Sequence, residues 1–231
     1  MAAITCNKLT KRYGKTTALD SIDLNLEPGR IIGLAGPNGS GKTMLIKLAQ
    51  RMLVPTDGEI LIDGEKPGPQ TKAIVAYLPD RDFLPDWMKV EGLLKLYESF
   101  YEDFNREQAE TMLQSLDIAK DMVFKKMSKG TREKVQLILT MCRKAQVYLL
   151  DEPIAGVDPA ARDYIIRTII SNYNPEALVL ISTHLIADIE NVLDEVVFLK
   201  EGRIILHEPA EDLRMKMNKS VDEYFREVFA C

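Results

Sequence analysis

The spacing of apolar residues changes along the chain, and each change predicts a different kind of element. From about Ile4 to Glu65 apolar and polar residues alternate, as in Ile22-Asp23-Leu24-Asn25-Leu26-Glu27 and Glu59-Ile60-Leu61-Ile62-Asp63, with Asp-Gly and Pro-Gly turns between the runs. Period two predicts strands with one exposed face, so this stretch reads as a small β-region. Two segments within it differ. Arg30-Ile31-Ile32-Gly33-Leu34-Ala35 predicts a buried strand, and Met44-Leu45-Ile46-Lys47-Leu48-Ala49 predicts a helix. Ile74-Val75-Ala76-Tyr77-Leu78 predicts a further strand.

From Val90 to about Cys142 the period becomes helical. Leu93, Leu94, Leu96 and Tyr97, then Met112, Leu113 and Leu116, then Val135, Ile138, Leu139 and Cys142 recur at spacings of three and four. The runs Val147-Tyr148-Leu149-Leu150 and Ala177-Leu178-Val179-Leu180-Ile181 are continuously apolar, which predicts strands covered on both faces and hence a parallel sheet. A helix through Tyr164-Ile165-Ile166 and Ile169-Ile170 lies between them. Val196-Val197-Phe198-Leu199 and Arg203-Ile204-Ile205-Leu206 flank Lys200-Glu201-Gly202 as a hairpin. A last helix follows Ser220, with Glu223 completing a capping box and Val221, Tyr224, Phe225 and Val228 forming a stripe that packs on the body of the protein. The expected fold class is α/β: a mainly parallel sheet, an N-terminal antiparallel β-subdomain and an inserted α-helical subdomain. The 231 residues read as a single domain, 1–231, with the helical lobe at about 83–145 and a helical tail at about 208–231.

Between the buried strand and its helix stand Gly36-Pro37-Asn38-Gly39-Ser40-Gly41-Lys42-Thr43, the phosphate-binding G-x-x-x-x-G-K-T spacing. Small residues let the backbone fold into a cradle of N–H groups, and the helix start adds the positive end of its dipole. Lys42 is placed to reach the β- and γ-phosphates and the Thr43 hydroxyl to ligate Mg²⁺. The expected core is that of a P-loop nucleoside triphosphatase. Residues 147–153, Val-Tyr-Leu-Leu-Asp-Glu-Pro, put two acids at the end of a buried strand. A carboxylate there can hold Mg²⁺ and a second can deprotonate the attacking water, which assigns Asp151 to the metal and Glu152 to the water.

Composition narrows the remaining classes. With 46% hydrophobic and 28% charged residues the chain is ordinary for a globular protein, and a formal net charge of −5 argues against a nucleic-acid partner. Cys6, Cys142 and Cys231 are scattered, so neither a disulfide framework nor a zinc site is expected, and a reducing cytosol fits. No secretory leader is seen at the N-terminus, and nowhere do about 18 apolar residues run together, so the chain itself is not expected to cross a membrane.

Taken in order, the phosphate loop, Met127-Ser128-Lys129-Gly130-Thr131, Leu149-Leu150-Asp151-Glu152-Pro153, Ala155-Gly156-Val157-Asp158 and Ser182-Thr183-His184 resemble the ATP-binding subunit of an ABC transporter over nearly the whole chain. The resemblance implies that two such modules sandwich two ATP molecules, each lending its signature segment to the other's phosphate loop. Ser128, Lys129 and Gly130 stand at the signature positions, and Ser128 also reads as a helix cap. His184 resembles the switch histidine that contacts the γ-phosphate, and Tyr13 the aromatic that stacks on adenine. Asp158 reads equally as an interface residue and as a cap before Pro159. No N-K-x-D motif for guanine is present, in keeping with ATP. The partners implied are a second ATPase subunit, identical or not, and an integral-membrane permease of the exporter (ABC-2-like) type, which would hold the protein at the cytoplasmic face of the cell membrane. Two rivals are a soluble ABC ATPase driving cytosolic assembly and a weakly hydrolysing nucleotide sensor; Glu152 and His184 argue against the latter.

The chain departs from that family in three places. Where a glutamine is usual, Asp80 follows Leu78-Pro79; a carboxylate keeps a metal contact but cannot donate a hydrogen bond. The signature carries Met127, Lys129 and Thr131 for leucine, glycine and glutamine, and Lys129 either strengthens closure on phosphate or loosens it by bulk. Asp82-Phe83-Leu84-Pro85-Asp86-Trp87-Met88 mixes apolar and acidic residues where the family docks its permease, although Trp87 would also suit the interior of the helical lobe.

Overall fold

The computed structural model describes residues 2–230, with the side chains of residues 160 and 161 excepted. Met1 and Cys231 lie outside the described residues. The elements run β1 (Ile4–Tyr13), β2 (Thr16–Leu26), β3 (Arg30–Ala35), α1 (Lys42–Ala49), β4 (Asp57–Ile62), α2 (Pro69–Ile74), β5 (Val75–Leu78), α3 (Val90–Phe100), α4 (Arg106–Ser115) and α5 (Lys129–Met141). They continue with β6 (Val147–Asp151), α6 (Pro159–Asn172), β7 (Leu178–Thr183), β8 (Glu195–Lys200), β9 (Arg203–Pro209), α7 (Ala210–Met217) and α8 (Val221–Phe229).

The alternating segments form a three-stranded antiparallel sheet in the order β2-β1-β4. The continuous apolar runs form a six-stranded sheet in the order β5-β6-β7-β3-β8-β9, parallel throughout except for β9, which returns antiparallel along β8. Every residue of β6 and β7 is buried because the parallel sheet is covered twice. On one face Ile32, Leu34, Leu149 and Leu180 meet Leu45 and Ile46 of α1 and the inner side of the antiparallel sheet, Leu9, Leu26 and Ile62. On the other, Ile31, Tyr148, Leu150, Val179 and Ile181 meet Leu137 and Met141 of α5 and Ile165 and Ile169 of α6. Burial of both faces is why these strands lost the alternation that marks β1, β2 and β4.

The helical segment has an interior of its own, built from Leu93, Leu94, Phe104, Leu113, Phe124 and the Val135, Ile138, Leu139 and Cys142 side of α5. Helix α5 therefore carries two apolar stripes, one for this cluster and one for the sheet. Arg143, just past its end, is almost wholly buried and ties the two regions together. Its guanidinium donates to both Asp103 carboxylate oxygens at 2.9 and 3.0 Å, to Val75 O at 2.6 Å and to Ala73 O at 2.5 Å, and it lies 3.8 Å from the centre of the Tyr101 ring.

The capping box at α8 forms as expected: Ser220 Oγ accepts from Glu223 N at 3.1 Å and Glu223 Oε2 accepts from Ser220 N at 2.8 Å. Its stripe packs on the protein's own core, with Phe225 edge-on to Phe198 at 5.5 Å and Phe229 tilted against Phe225 at 4.5 Å. One boundary differs from the periodicity. Ile74 closes α2 instead of opening β5, because Gly68-Pro69 starts a helix there, with Gly68 N donating to Thr71 Oγ1 at 2.8 Å. Among the described residues no helix is long and apolar enough to cross a membrane. Cys6 and Cys142 are buried and unpaired, and burial pushes both thiols up to about 12, so neither is a nucleophile at neutral pH.

Candidate functional site

The phosphate loop leaves β3 at Ala35 and enters α1 at Lys42. Its path needs glycine at Gly36: a Cβ there would lie 2.3 Å from Leu199 O and 2.5 Å from Ser40 Oγ. Gly41 has φ +114°, where a side chain would be strained. Gly36→Ala must therefore displace the loop, and ATP binding is expected to weaken about tenfold through lost cradle hydrogen bonds, which calorimetric titration would read directly. An unchanged affinity would mean the cradle does not hold the nucleotide.

Sheet register brings the acids to the loop. Asp151 ends β6 opposite Ser182 of β7, and β7 lies directly against β3. Asp151 Oδ1 accepts from Thr43 Oγ1 at 3.1 Å and from Ser182 Oγ at 2.5 Å, whereas Oδ2 is buried with no partner. Burial raises the Asp151 pKa, opposed by the Ser182 and Thr43 hydrogen bonds and assisted by the nearby charges of Asp80 and Glu152. Ser40 Oγ, within the loop, is a second buried oxygen without a partner. Orphaned polar atoms on the loop and on the strand end facing it are placed to meet oxygen-rich and cationic groups. Among the described residues no three His, Cys, Asp or Glu side chains form a cage for a metal. A single carboxylate beside a hydroxyl is the donor set Mg²⁺ accepts when phosphates and waters supply the rest, so these residues fit that ion.

Glu152, the next residue, has φ +51°, an unusual backbone for a non-glycine residue. The turn is held by Glu152 N donating to Ser182 O at 3.0 Å and to Ser182 Oγ at 3.1 Å. Its carboxylate bridges two groups: Oε1 lies 3.3 Å from Lys42 Nζ, and Oε2 is 2.9 Å from His184 Nδ1. Lys42 itself is buried and curls back over the loop to donate to Gly36 O at 2.7 Å and Pro37 O at 3.3 Å. Residues 42, 152 and 184, far apart in sequence, thus form one continuous polar chain.

The other expected residues are placed as follows. Tyr13 is half exposed, its hydroxyl donating to Met44 Sδ at 3.3 Å beside the start of α1, with Lys11 Nζ 5.0 Å from the ring centre. Asp80 lines a cleft of about 290 Å³ together with Lys129 and Glu152. Ser128 caps α5, its Oγ accepting from Thr131 N at 3.2 Å, so the cap reading holds. The Lys129 side chain is largely exposed, 3.7 Å from Glu133 Oε1, and a Cβ on Gly130 would meet nothing within 4 Å. Asp158 leads into α6, where Arg162 N donates to its carbonyl at 3.1 Å. Trp87 is 75% exposed, which corrects the alternative of Trp87 filling the helical lobe.

Sequence reasoning passed over Ser182 as a working residue, although it holds both Asp151 and Glu152. Its only signal was its place two residues before His184, because the pairing of Asp151 with Ser182 depends on a register that no local pattern encodes.

A parallel sheet with this loop and acid pair at the carboxyl ends of its central strands defines a P-loop nucleoside triphosphatase. Residues 19–155 match the family model described as ABC transporter, and the chain belongs to that family. It is 27% identical over 204 residues to the ABC transporter ATP-binding protein YtrB of Bacillus subtilis (strain 168), covering 87% of this chain and 70% of that protein. It is 30% identical over 215 residues to the Nod factor export ATP-binding protein I of Paraburkholderia xenovorans (strain LB400), covering 88% and 70%. A solved structure titled ATP binding subunit of ABC transporter superposes with a TM-score of 0.86 at 26% identity, covering 98% of this chain and 99% of that one. The protein is an ATP-binding, ATP-hydrolysing subunit that powers a separate membrane permease. The cytosolic-assembly alternative finds no support among its relatives.

Proposed function

We propose that the chain works as one half of a composite ATPase, two modules enclosing two ATP molecules, and that closure and reopening drive an exporter-type permease at the cytoplasmic face of the membrane. The observation that carries this reading is the Lys42–Glu152–His184 chain beside the unpartnered oxygens of Ser40 and Asp151.

The cradle N–H groups and Lys42 bind the β- and γ-phosphates, and Tyr13 stacks on adenine. Thr43 and Asp151 would hold Mg²⁺, with Asp80 as a further ligand; the ion, when bound, neutralises charge on the phosphate oxygens. The arriving γ-phosphate draws Lys42 away from Glu152, which frees the carboxylate to take a proton from the attacking water. Water oxygen bonds to the γ-phosphorus, the bond to the bridging oxygen breaks, and ADP and phosphate leave. His184, held to Oε2, keeps the freed Oε1 of Glu152 oriented towards that water. Ser128, Lys129 and Gly130 cover the γ-phosphate held by the opposing module, for which the open surface at Gly130 and the exposed Lys129 ammonium are suited. The segment 83–145 acts as the lobe that carries this signature. Phe83 and Trp87, both exposed, offer the permease an aromatic contact. The YtrB and Nod factor export names favour a transporter, and the latter favours export.

A shared site makes activity depend on association. ATPase rate is expected to rise more steeply than linearly with protein concentration over the range in which ATP-dependent dimers form by light scattering. A rate strictly proportional to protein, from a species that stays monomeric, overturns the composite site.

A further inference from the structure

Asp82 and Phe83 are bound to the middle of α5 by one buried side chain. Gln136 is only 4% exposed, yet both polar atoms of its amide bond the loop: Oε1 accepts from Phe83 N at 3.0 Å and Nε2 donates to Asp82 Oδ1 at 2.9 Å. Arg132, one turn earlier on α5, brings Nε within 3.2 Å of Asp82 Oδ2, a charge contact whose angle makes no hydrogen bond. The far end of the loop is tied to the same body, since Lys125 N donates to Asp86 O and Phe124 N to Met88 O, both at 2.9 Å. Residues 82–88 are therefore clamped at both ends to the segment that leads into and through α5.

On its other side the loop joins β5 through Pro79, Asp80 and Arg81, and these three make none of those bonds. The span left free to pivot between sheet and helix is thus the one that carries Asp80. Asp80, Asp82, Arg132, Gln136, Lys129 and Glu152 all line the same cleft.

We propose that Gln136 is a positioning residue for hydrolysis. Its amide makes the signature helix and the Asp80 loop one body, so that when the opposing module's ATP draws in Ser128–Gly130, Asp80 is carried into working position beside Asp151. This rests on the composite-site reading above. A buried amide in the middle of an amphipathic helix costs stability unless satisfied, and here its oxygen and its nitrogen are each satisfied by one of two adjacent loop residues. Packing alone would be served by an apolar side chain.

The test exchanges donor and acceptor. Gln136→Glu keeps the shape but removes the donor and sets a carboxylate against Asp82; it is expected to lower kcat about tenfold, on the order of one hydrogen bond's worth. The KM for ATP should stay within about twofold, since the binding contacts are untouched. Asp82→Asn alone still accepts from Gln136 and should keep kcat within about twofold. In the double variant the introduced amide donates to the introduced carboxylate, and kcat should return to within about threefold of the parent. Wild-type kcat in Gln136→Glu, or a folded double variant no better than Gln136→Glu, overturns the proposal. Should Gln136→Glu fail to fold, Gln136→Met carries the test: the same fall in kcat supports the proposal and wild-type kcat sinks it. Glu152→Gln run alongside separates the two layers. If it retains turnover the site reading fails, whereas if it loses turnover while the Gln136 variants do not, only the coupling fails.

Discussion

Glu152→Gln is expected to lower ATP turnover by roughly 10²–10⁴-fold, the range for removing a positioned general base, while nucleotide binding survives. The amide occupies the same space, and the backbone turn held by the two Ser182 hydrogen bonds has no need of the carboxylate. What is lost is the capacity to take a proton from water. The change should also act on binding. Glu152 lies 3.3 Å from Lys42, so phosphate competes with a carboxylate for that ammonium. Removing the charge ends the competition, and ADP should bind at least as tightly as to the parent. Phosphate release in single turnover gives the first quantity and calorimetry with ADP the second. Turnover within about tenfold of the parent would remove Glu152 from the role of base; weaker ADP binding would show that its contact with Lys42 supports the phosphate cradle and does not compete with it.

Arg143→Met should cost about 3–5 kcal/mol of stability, the scale for breaking a buried charged pair. For a chain of this size that is a fall of roughly 10 °C in Tm. Methionine fills much of the volume but leaves the Asp103 carboxylate and the carbonyls of Ala73 and Val75 without the donors they meet in the structure. The loss of the stacked contact with Tyr101 adds to this. Arg143→Lys, with a single ammonium in place of a planar fork, should fall between the two. Thermal denaturation followed by circular dichroism measures all three; a Tm for Arg143→Met within about 2 °C of the parent would mean that Arg143 is not the tie between helices and sheet.

These two residues mark how far sequence reaches in this protein. Lys42, Thr43 and Asp151 were legible because each lies in a short stretch whose spacing and neighbours state the local structure. The phosphate loop needs a strand before it and a helix after it, and both are written in the apolar pattern. Continuous apolar runs announced a parallel sheet, and Ser220 with Glu223 announced a helix start. Arg143 and Gln136 were illegible for the converse reason. Each is a polar residue within or beside an apolar stripe, and its partners are set by how separate segments pack: Asp103 and Val75 for Arg143, Asp82 and Phe83 for Gln136. The meeting of Glu152 with His184 belongs to the same kind, since the strand order β6-β7-β3 that creates it is not contained in any one strand. Helix α2 was missed on a smaller scale, because six residues are too few to show a helical period.

The aromatic packing of α8 on Phe198 bears on when this chain can become functional during its synthesis. Every residue assigned to the nucleotide site has been polymerised once His184 is added. Part of the cover over Phe198 comes from Tyr224, Phe225 and Phe229, a further 40 residues on by numbering (184 to 224). Until that stretch has left the ribosome, the nascent protein exposes an aromatic surface next to a nearly finished ATP site, a state open to chaperone capture and to aggregation. A chain released early, for instance by a stop codon just after residue 210, would carry every residue proposed for the nucleotide site and still lack the aromatic cover of Phe198.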